Sequence, residues 1–569
     1  MAFQISPGVN VSEVDLTTVV PSVLTTAGAF AGAFQWGPVN KRVTVDSEIT
    51  LASKFGKPDT NTATSFFTAA SFLAYGNNLK VVRAVGADAK NARANTSASA
   101  IQITNEDVFE AAYLTGSAGS EVGPYIARYP GSLGNSLTIA IIDAGGNFPS
   151  WNVNGIGLST YFTGAPGTSE QAAAVGGQND EVHLIVLDGN GLFTGVKNTV
   201  LEVFPYLSKG SDATDALGNS NYLKNVLFNK SKYIYNVDVL STDPLYETLG
   251  KPLANTNFVS LGSLNWQLSG GTDAAADTAS LETAYDLFAN ADEVDVSLVI
   301  TGDAPVEVQQ YVIDNVVNAR KDAVAFISPP SAAVINNLGN EADDILSWND
   351  TLARSSSYAV ADSGWKYQFD KYNNVYRWVP LNGDIAGLCV YTDSIRDPWF
   401  SPAGFNRGNL KNVVKLAWNP NKTARDSLYS KGINPVGTFP GNGTVLYGDK
   451  TLQSKPSAFD RINVRRLFIV LEKTIAQAAK YSMFEFNDEF TRAQFTALVT
   501  PFLRDVQGRR GIYDFRVVCD STNNTAEVID SNRFVGDIYI KPARSINFIQ
   551  LNFVAVRTGV DFTEVVGKF

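Results

Sequence analysis

The chain has 569 residues, 44% of them hydrophobic and 18% charged, and a net charge of −11. That length exceeds one ordinary core and implies roughly three or four domains, and the apolar content excludes a disordered chain. The acidic balance argues against a protein that coats duplex nucleic acid, because neutralising phosphates requires a basic surface.

Residues 1–21 read as an amino-terminal arm. Met1 to Val14 has neither a basic n-region nor an apolar h-region, so secretion by a cleaved signal is not expected. Nowhere does an apolar run approach the ~20 residues needed for direct membrane insertion. After Pro7 and Gly8 break structure, Val9 and Val11 alternate with polar residues and Val14 closes the run, as in a half-buried strand. Such a strand either folds back on its own domain or joins another chain by strand addition. Leu16–Ser22 reads as a linker.

Residues 22–94 form the first part of an α/β core. Thr25–Phe34 is small and apolar, Gly37-Pro38 is a turn, Thr62–Tyr75 is a helix and Lys80–Val85 a strand. From 95 to 200 Gly, Ser, Asn and Thr become dense. Short apolar alternations at Ile101–Ile103, Leu137–Ile142 and His183–Leu187 predict a β-rich inserted domain, with the Gly/Pro-rich stretch Ala144–Thr168 exposed. Residues 201–360 return to α/β. Val294–Ile300 is a strand, Asp303 and Pro305 start a helix carrying Val308, Val312, Val316 and Ala319, and Ala323–Ile327 is a second strand, so a parallel pair is expected.

Residues 361–556 form the carboxy-terminal domain. Phe459–Met483 predicts a long helix, because Val464, Phe468, Leu471, Ile475 and Ala478 step by four and three. Arg466, Lys473 and Lys480 recur every seven residues, nearly opposite that stripe. A second helix spans Asp488–Val506, with Asn487 as N-cap and Gly508 beyond its end. Strands follow at Ile512–Cys519, Gly536–Ile540 and Ile546–Val556. Arg557–Gly559 is a linker, and in the terminal segment 557–569 Val560 and Phe562 alternate as in another donated strand. The fold class is therefore multidomain α+β/α/β: a core from the two ends of the chain, a β-rich insertion, and terminal strand arms.

Chemistry-bearing motifs are sparse. His183 is the one histidine, placed in a predicted strand, and Cys389 and Cys519 are far apart and read as reduced, buried thiols. No His-based triad or His-rich metal site can be assembled from these. Asp286, Asp292, Glu293 and Asp295 read as a solvated acidic loop. Gly443 and Gly448 have phosphate-loop spacing, but Asp449 stands where the lysine belongs, and Gly155 and Gly157 lack the third glycine of a dinucleotide fingerprint. No catalytic, cofactor or metal site is assigned. The basic helices say more. Residues 459–510 hold nine Lys/Arg and six Asp/Glu, net +3, which leaves −14 on the rest. Arg466, Lys473 and Lys480, with Arg509 and Arg510 at the following turn, read either as a docking face for an acidic protein surface or as a solvated helix face with Arg509 and Arg510 capping the helix.

Several stretches resemble the tail-sheath proteins of contractile bacteriophages, particularly the T4-like group. They are Ser6–Glu13, Gly37-Pro38 with Phe55-Gly56, Ala127–Leu137 at the base of the insertion, Gly511–Phe515, Asn532-Arg533, Ile538–Arg544, and Ile546–Ile549 through Phe553. The resemblance covers roughly the first 85 and last 120 residues, with islands between. It implies a homo-oligomeric structural subunit and not an enzyme. Subunits of that family stack as six-fold rings around a tail tube and meet baseplate and tail-terminator proteins. Their terminal arms add strands to neighbours, and contraction drives the tube through the host envelope. On this resemblance Val9, Val11, Val14, Val560 and Phe562 lie in inter-subunit arms, and Arg466, Lys473, Lys480, Arg509 and Arg510 face the tube. The protein would be assembled in the host cytoplasm and reside in the virion tail. Alternatives are the sheath of a phage-like bacteriocin or secretion device, an α/β enzyme with a β insertion, and a capsid or adhesin-like protein.

Overall fold

The computed structural model describes residues 23–94, 100–114, 123–237, 253–547 and 549–550. Its centre is a seven-stranded sheet. The first part of the chain supplies β1 (Gly28–Gly32), β2 (Val43–Val45), α1 (Glu48–Phe55), α2 (Ala63–Leu73) and β3 (Leu79–Arg83). Ser47 caps α1 by accepting the Thr50 N–H, and Gly56 ends it at φ 81°, a conformation a side chain resists. The chain then leaves this sheet, passing through β4 (Leu137–Asp143), β5 (Glu181–Asp188), β6 (Thr199–Ser208) and β7 (Ser263–Gln267). It returns with β8 (Leu298–Ile300), β9 (Val324–Ile327), β10 (Ala359–Asp362), α3 (Asn382–Ile395) and β11 (Ile433–Asn434).

The central order is β11-β10-β9-β8-β1-β3-β2, parallel throughout except β2 against β3. Its inner strands are continuous apolar runs because both faces are covered. Ala29 and Ala31 face a layer that includes Val312, Val316 and Ile345, while Phe30 faces Phe66, Phe72, Ile385 and Leu388 on α2 and α3. Phe72 is fully buried there, and truncating it to Ala would cost ~3–5 kcal/mol.

The inserted unit is an antiparallel sheet of order β7-β4-β5-β6. One face carries Leu137, Ile139, Leu184 and Val186 over Leu223 and Leu227. The other is covered by Trp151, Val153 and Leu158, so the stretch expected to be exposed, Ala144–Thr168, supplies a small core of its own.

The expected divisions at 200 and 360 cut through structure. Position 200 falls inside β6, whose sheet is completed by β7, and 360 falls inside β10. The α/β segment placed apart at 201–360 joins the first segment directly, since β1 pairs with β8. The reason is topological: turn-rich composition marks where loops are dense, whereas sheet membership is set by which strands meet.

Two strands of chain form the stalk of the insertion. Lys90 and Thr272 exchange both backbone bonds, at 3.0 and 3.1 Å, and Arg93 pairs with Ser269. The Arg83 guanidinium, fully buried, donates to the carbonyls of Phe34, Gln35, Gly37 and Pro130. Ser132 binds Asp273 and Asn135 pairs with Gly271. Residues Ala127–Leu137, singled out in the sequence, therefore sit where insertion and core are joined.

The carboxy-terminal unit contains α4 (Ile462–Ala479), α5 (Glu489–Gly508), β12 (Ile512–Val518) and β13 (Asp537–Pro542). The N-cap of α5 is Asp488, which accepts the Thr491 N–H at 2.8 Å, and Gly508 lies in its last turn. Ile462 and Ile469 of α4 enter the core of the central sheet. Leu467 and Leu471 pack with Phe495, Val499, Leu503 and Val506 of α5. One helix thus joins two bodies.

Candidate assembly surface

β12 and β13 form an antiparallel pair, with Phe515 opposite Ile540 and Val517 opposite Ile538. These four side chains pack towards α5, while Tyr513 and Tyr539 are exposed. Among the described residues no third strand joins them. A two-stranded ribbon is marginal by itself, and each free edge is a row of unpaired N–H and C=O groups able to template another strand. The arrangement can accept an extended segment by backbone bonding, with little demand on side-chain identity. The predicted donors Val9, Val11, Val14, Val560 and Phe562 lie outside the described residues, as does most of the expected strand Ile546–Val556.

The five basic residues do not form one face. Arg466 is buried. Its guanidinium grips Asp393 of α3 at two points, Nη1–Oδ1 at 2.8 Å and Nη2–Oδ2 at 2.6 Å. Burial works against its charge, but Asp393 outweighs burial and raises the pKa. Lys473 is mostly covered and binds Asp295 at 2.8 Å, Ser297 Oγ at 3.0 Å and Asp322 at 3.5 Å. The expectation that Arg466 and Lys473 are free to face a partner is corrected: Ile462–Leu467 of α4 are buried, so Arg466 meets Asp393 of α3, and Lys473, further along, lies against Val296 and Ser297 on the approach to β8. Lys480, Arg509 and Arg510 are exposed. Arg509 pairs with Asp397 and its carbonyl accepts from Trp399 Nε1, while the Trp399 carbonyl accepts from Asn463. That places Arg509 beside the start of α4, roughly 25 Å along the helix from Lys480 at 1.5 Å per residue.

Between α4 and α5 the side chains of Tyr481, Met483, Phe484 and Phe486 stand in the open, as does Phe490 in the first turn of α5, and Phe484 has φ 70°. The signal for this patch was present as three phenylalanines within seven residues that fit no helical stripe.

The remaining chemical groups have structural partners. His183 is buried and stacked on Phe162 at 4.0 Å. Its Nδ1 accepts the Tyr206 N–H, which leaves Nε2 to donate to Gly164 O at 2.8 Å, and burial lowers its pKa, so the ring is neutral. Cys389 and Cys519 are free and buried, and burial pushes the Cys389 thiol up to about 12. Asp286 binds the Tyr311 hydroxyl, Glu293 pairs with Arg42 and Asp295 with Lys473, so the acidic loop is divided among separate partners. No group of three or more metal-ligating side chains occurs among the described residues. Asp449 is buried against Arg461 at 3.3 Å and accepts the Ser545 hydroxyl, a structural role in place of a phosphate loop.

Three family descriptions match in succession: the tail sheath protein Gp18 domain III N-terminal region over residues 25–84, the phage tail sheath protein central domain over 272–452, and the phage tail sheath C-terminal domain over 454–555. The interval between the first two is the stalk and inserted sheet. A tail sheath protein of Vibrio phage KVP40 is 35% identical, with 99% of this chain and 100% of that one covered. The tail sheath protein of Enterobacteria phage T4 is 34% identical, with 99% of each covered. Among solved structures, a sheath tail protein from Listeria innocua matches with TM-score 0.52 at 11% identity, covering 92% of this chain and 96% of that one. The helical sheath of the anti-feeding prophage in its contracted state matches with TM-score 0.50 at 13% identity, covering 97% and 99%. These two show a shared mixed α/β fold.

Proposed function

The chain belongs to the phage tail sheath family, and from that premise we propose that it is the repeating subunit of a contractile phage tail. Copies stack as six-fold rings around the tail tube, held between baseplate and tail-terminator proteins. Residues 1–21 and 557–569 leave the body and pair with the edges of β12–β13 on adjacent copies. The observation that carries this reading is that two-stranded sheet, backed by α5 and, among the described residues, open on its edges. An added strand of about five residues would make about four backbone bonds of ~1 kcal/mol each. Backbone bonds are indifferent to side chains and survive rigid-body rotation when the linkers flex. Contraction then releases energy stored at assembly, without a catalytic step or a cofactor in this chain. The subunit is made in the host cytoplasm and ends in the virion.

Deleting residues 1–15 tests the proposal. Tubular polymers, visible by electron microscopy as hollow striated cylinders, should disappear while the monomer keeps its urea unfolding midpoint. Wild-type polymers from the truncated chain would refute it.

A further inference from the structure

Two inward-turned basic residues of α4, Arg466 and Lys473, converge on one place, the root of the amino-terminal arm, while Arg465 beside them binds Tyr358 and Ser357. Asp393 Oδ2, gripped by Arg466, also accepts the Thr25 hydroxyl at 2.7 Å. One residue earlier, the Leu24 carbonyl accepts from Ser297 Oγ at 3.0 Å, and Ser297 Oγ accepts from Lys473 Nζ at 3.0 Å. Successive residues are thus tethered to two different elements, α3 and the approach to β8, and both tethers are backed by α4. Three residues further on, the chain enters β1 in the middle of the central sheet.

We infer that Thr25, Asp393, Arg466, Ser297 and Lys473 form an anchor that fixes where and in which direction the arm leaves the body, making them positioning residues for assembly. The inference rests on the strand-addition reading above and deepens it.

Three physical arguments support it. A buried Arg–Asp pair is a poor source of stability, since apolar residues of similar volume usually serve as well; its distinctive contribution is fixed geometry. The same helix that backs the tethers carries Leu467 and Leu471, which pack with the α5 layer under β12–β13. The point where a subunit's arm starts and the sheet on which it receives a neighbour's arm are therefore held at a fixed separation by one rigid element. Finally, pairing of a tethered strand depends on its effective concentration at the acceptor edge. That concentration falls when the origin of the tether is no longer held in place.

The test uses the full chain. Thr25→Val with Ser297→Ala removes both tethers and leaves the ion pair intact. Arg466→Met with Asp393→Leu removes the pair without leaving a lone buried charge. Urea midpoints of the monomer and polymerisation rates by light scattering are measured beside wild type and the 1–15 deletion. The expected result for Thr25→Val with Ser297→Ala is a midpoint within about a tenth of wild type and polymerisation slowed at least about fivefold. Wild-type polymerisation by this variant, while the deletion abolishes polymers, overturns the anchor and leaves the arm reading standing. Polymerisation by the deletion itself overturns both. Should the Arg466/Asp393 double variant fail to fold, the Thr25/Ser297 variant alone decides.

Discussion

Arg466 and Asp393 meet as a two-point fork between α4 and α3, at 2.8 and 2.6 Å, with their side chains 4% and 6% exposed. Replacing Arg466 by Met leaves the Asp393 carboxylate buried and holding only the Thr25 hydroxyl. Breaking such a pair from one side costs ~3–5 kcal/mol. Arg466→Glu is worse, because two carboxylates then share the site. Urea unfolding of the purified monomer should show both losses, with Arg466→Met/Asp393→Leu recovering most of the stability. A midpoint for Arg466→Met equal to wild type would contradict the burial of this pair.

The insertion should be removable at its stalk and not elsewhere. Lys90 and Thr272 form a hydrogen-bonded antiparallel pair, which a two-residue Asn-Gly turn can close. Replacing residues 91–271 by Asn-Gly should therefore yield a soluble core that still polymerises. Deleting 100–195 instead removes β4 and β5 and strands β6 and β7 without their sheet partners. That chain should precipitate. Comparing soluble yield and polymer formation of the two deletions checks the boundary.

What was legible in the sequence, and what was not, follows from range. Val324–Ile327 was readable as a short apolar run before Pro329, and the helix Ile462–Ala479 from its stripe. Neither the pairing of β1 with β8 nor the burial of Arg466 was. Both depend on partners distant in sequence, Gly28 with Leu298 and Arg466 with Asp393, and no local periodicity encodes them. The seven-residue spacing of Arg466, Lys473 and Lys480 suggested one solvent face because a helical stripe assumes a single buried side. Where α4 is wedged between two bodies that assumption fails, and only Lys480, past the wedge, remains in the open. Trp151 was a readable warning: an aromatic in a turn-rich segment has apolar area to bury, and it does.

Asp362, at the carboxyl end of β10, gives stability a specific pH dependence. It is fully buried, and burial pushes its carboxyl from the ordinary 3.8 up to about 8, against bonds from Ser328 Oγ and the Gly364 N–H that favour the charged form. The folded state therefore holds a proton that the unfolded chain has released. Stability from this group is complete below the unfolded pKa and is lost as pH rises towards 8. The loss is on the order of a few kcal/mol. Asp362→Asn imitates the protonated form and removes the dependence. The stability of wild type relative to Asp362→Asn should decline from about pH 5 to about pH 9; a constant difference in urea midpoint across that range would contradict the assignment.

Lys480 and Arg510 stand at opposite ends of α4, since Arg509 lies beside Asn463 through Trp399. A separation of roughly 25 Å along α4 lets a local contact engage one of them without the other. If the tail tube is recognised by cations of this unit, one charge reversal should matter and the other should not. Exposed pairs are worth only ~0–1 kcal/mol each, so the affected variant, Lys480→Glu or Arg510→Glu, should lose a few-fold in tube-templated assembly at low salt. The difference should fade as ionic strength rises and surface charges are screened. Both substitutions should leave the monomer within about 0.5 kcal/mol of wild type, because neither side chain is enclosed. Equal loss from both reversals would contradict a contact made at one end of α4 alone, and loss from neither would remove these two cations from the tube-facing surface and leave the exposed Tyr481–Phe490 segment as the part of the unit to mutate next.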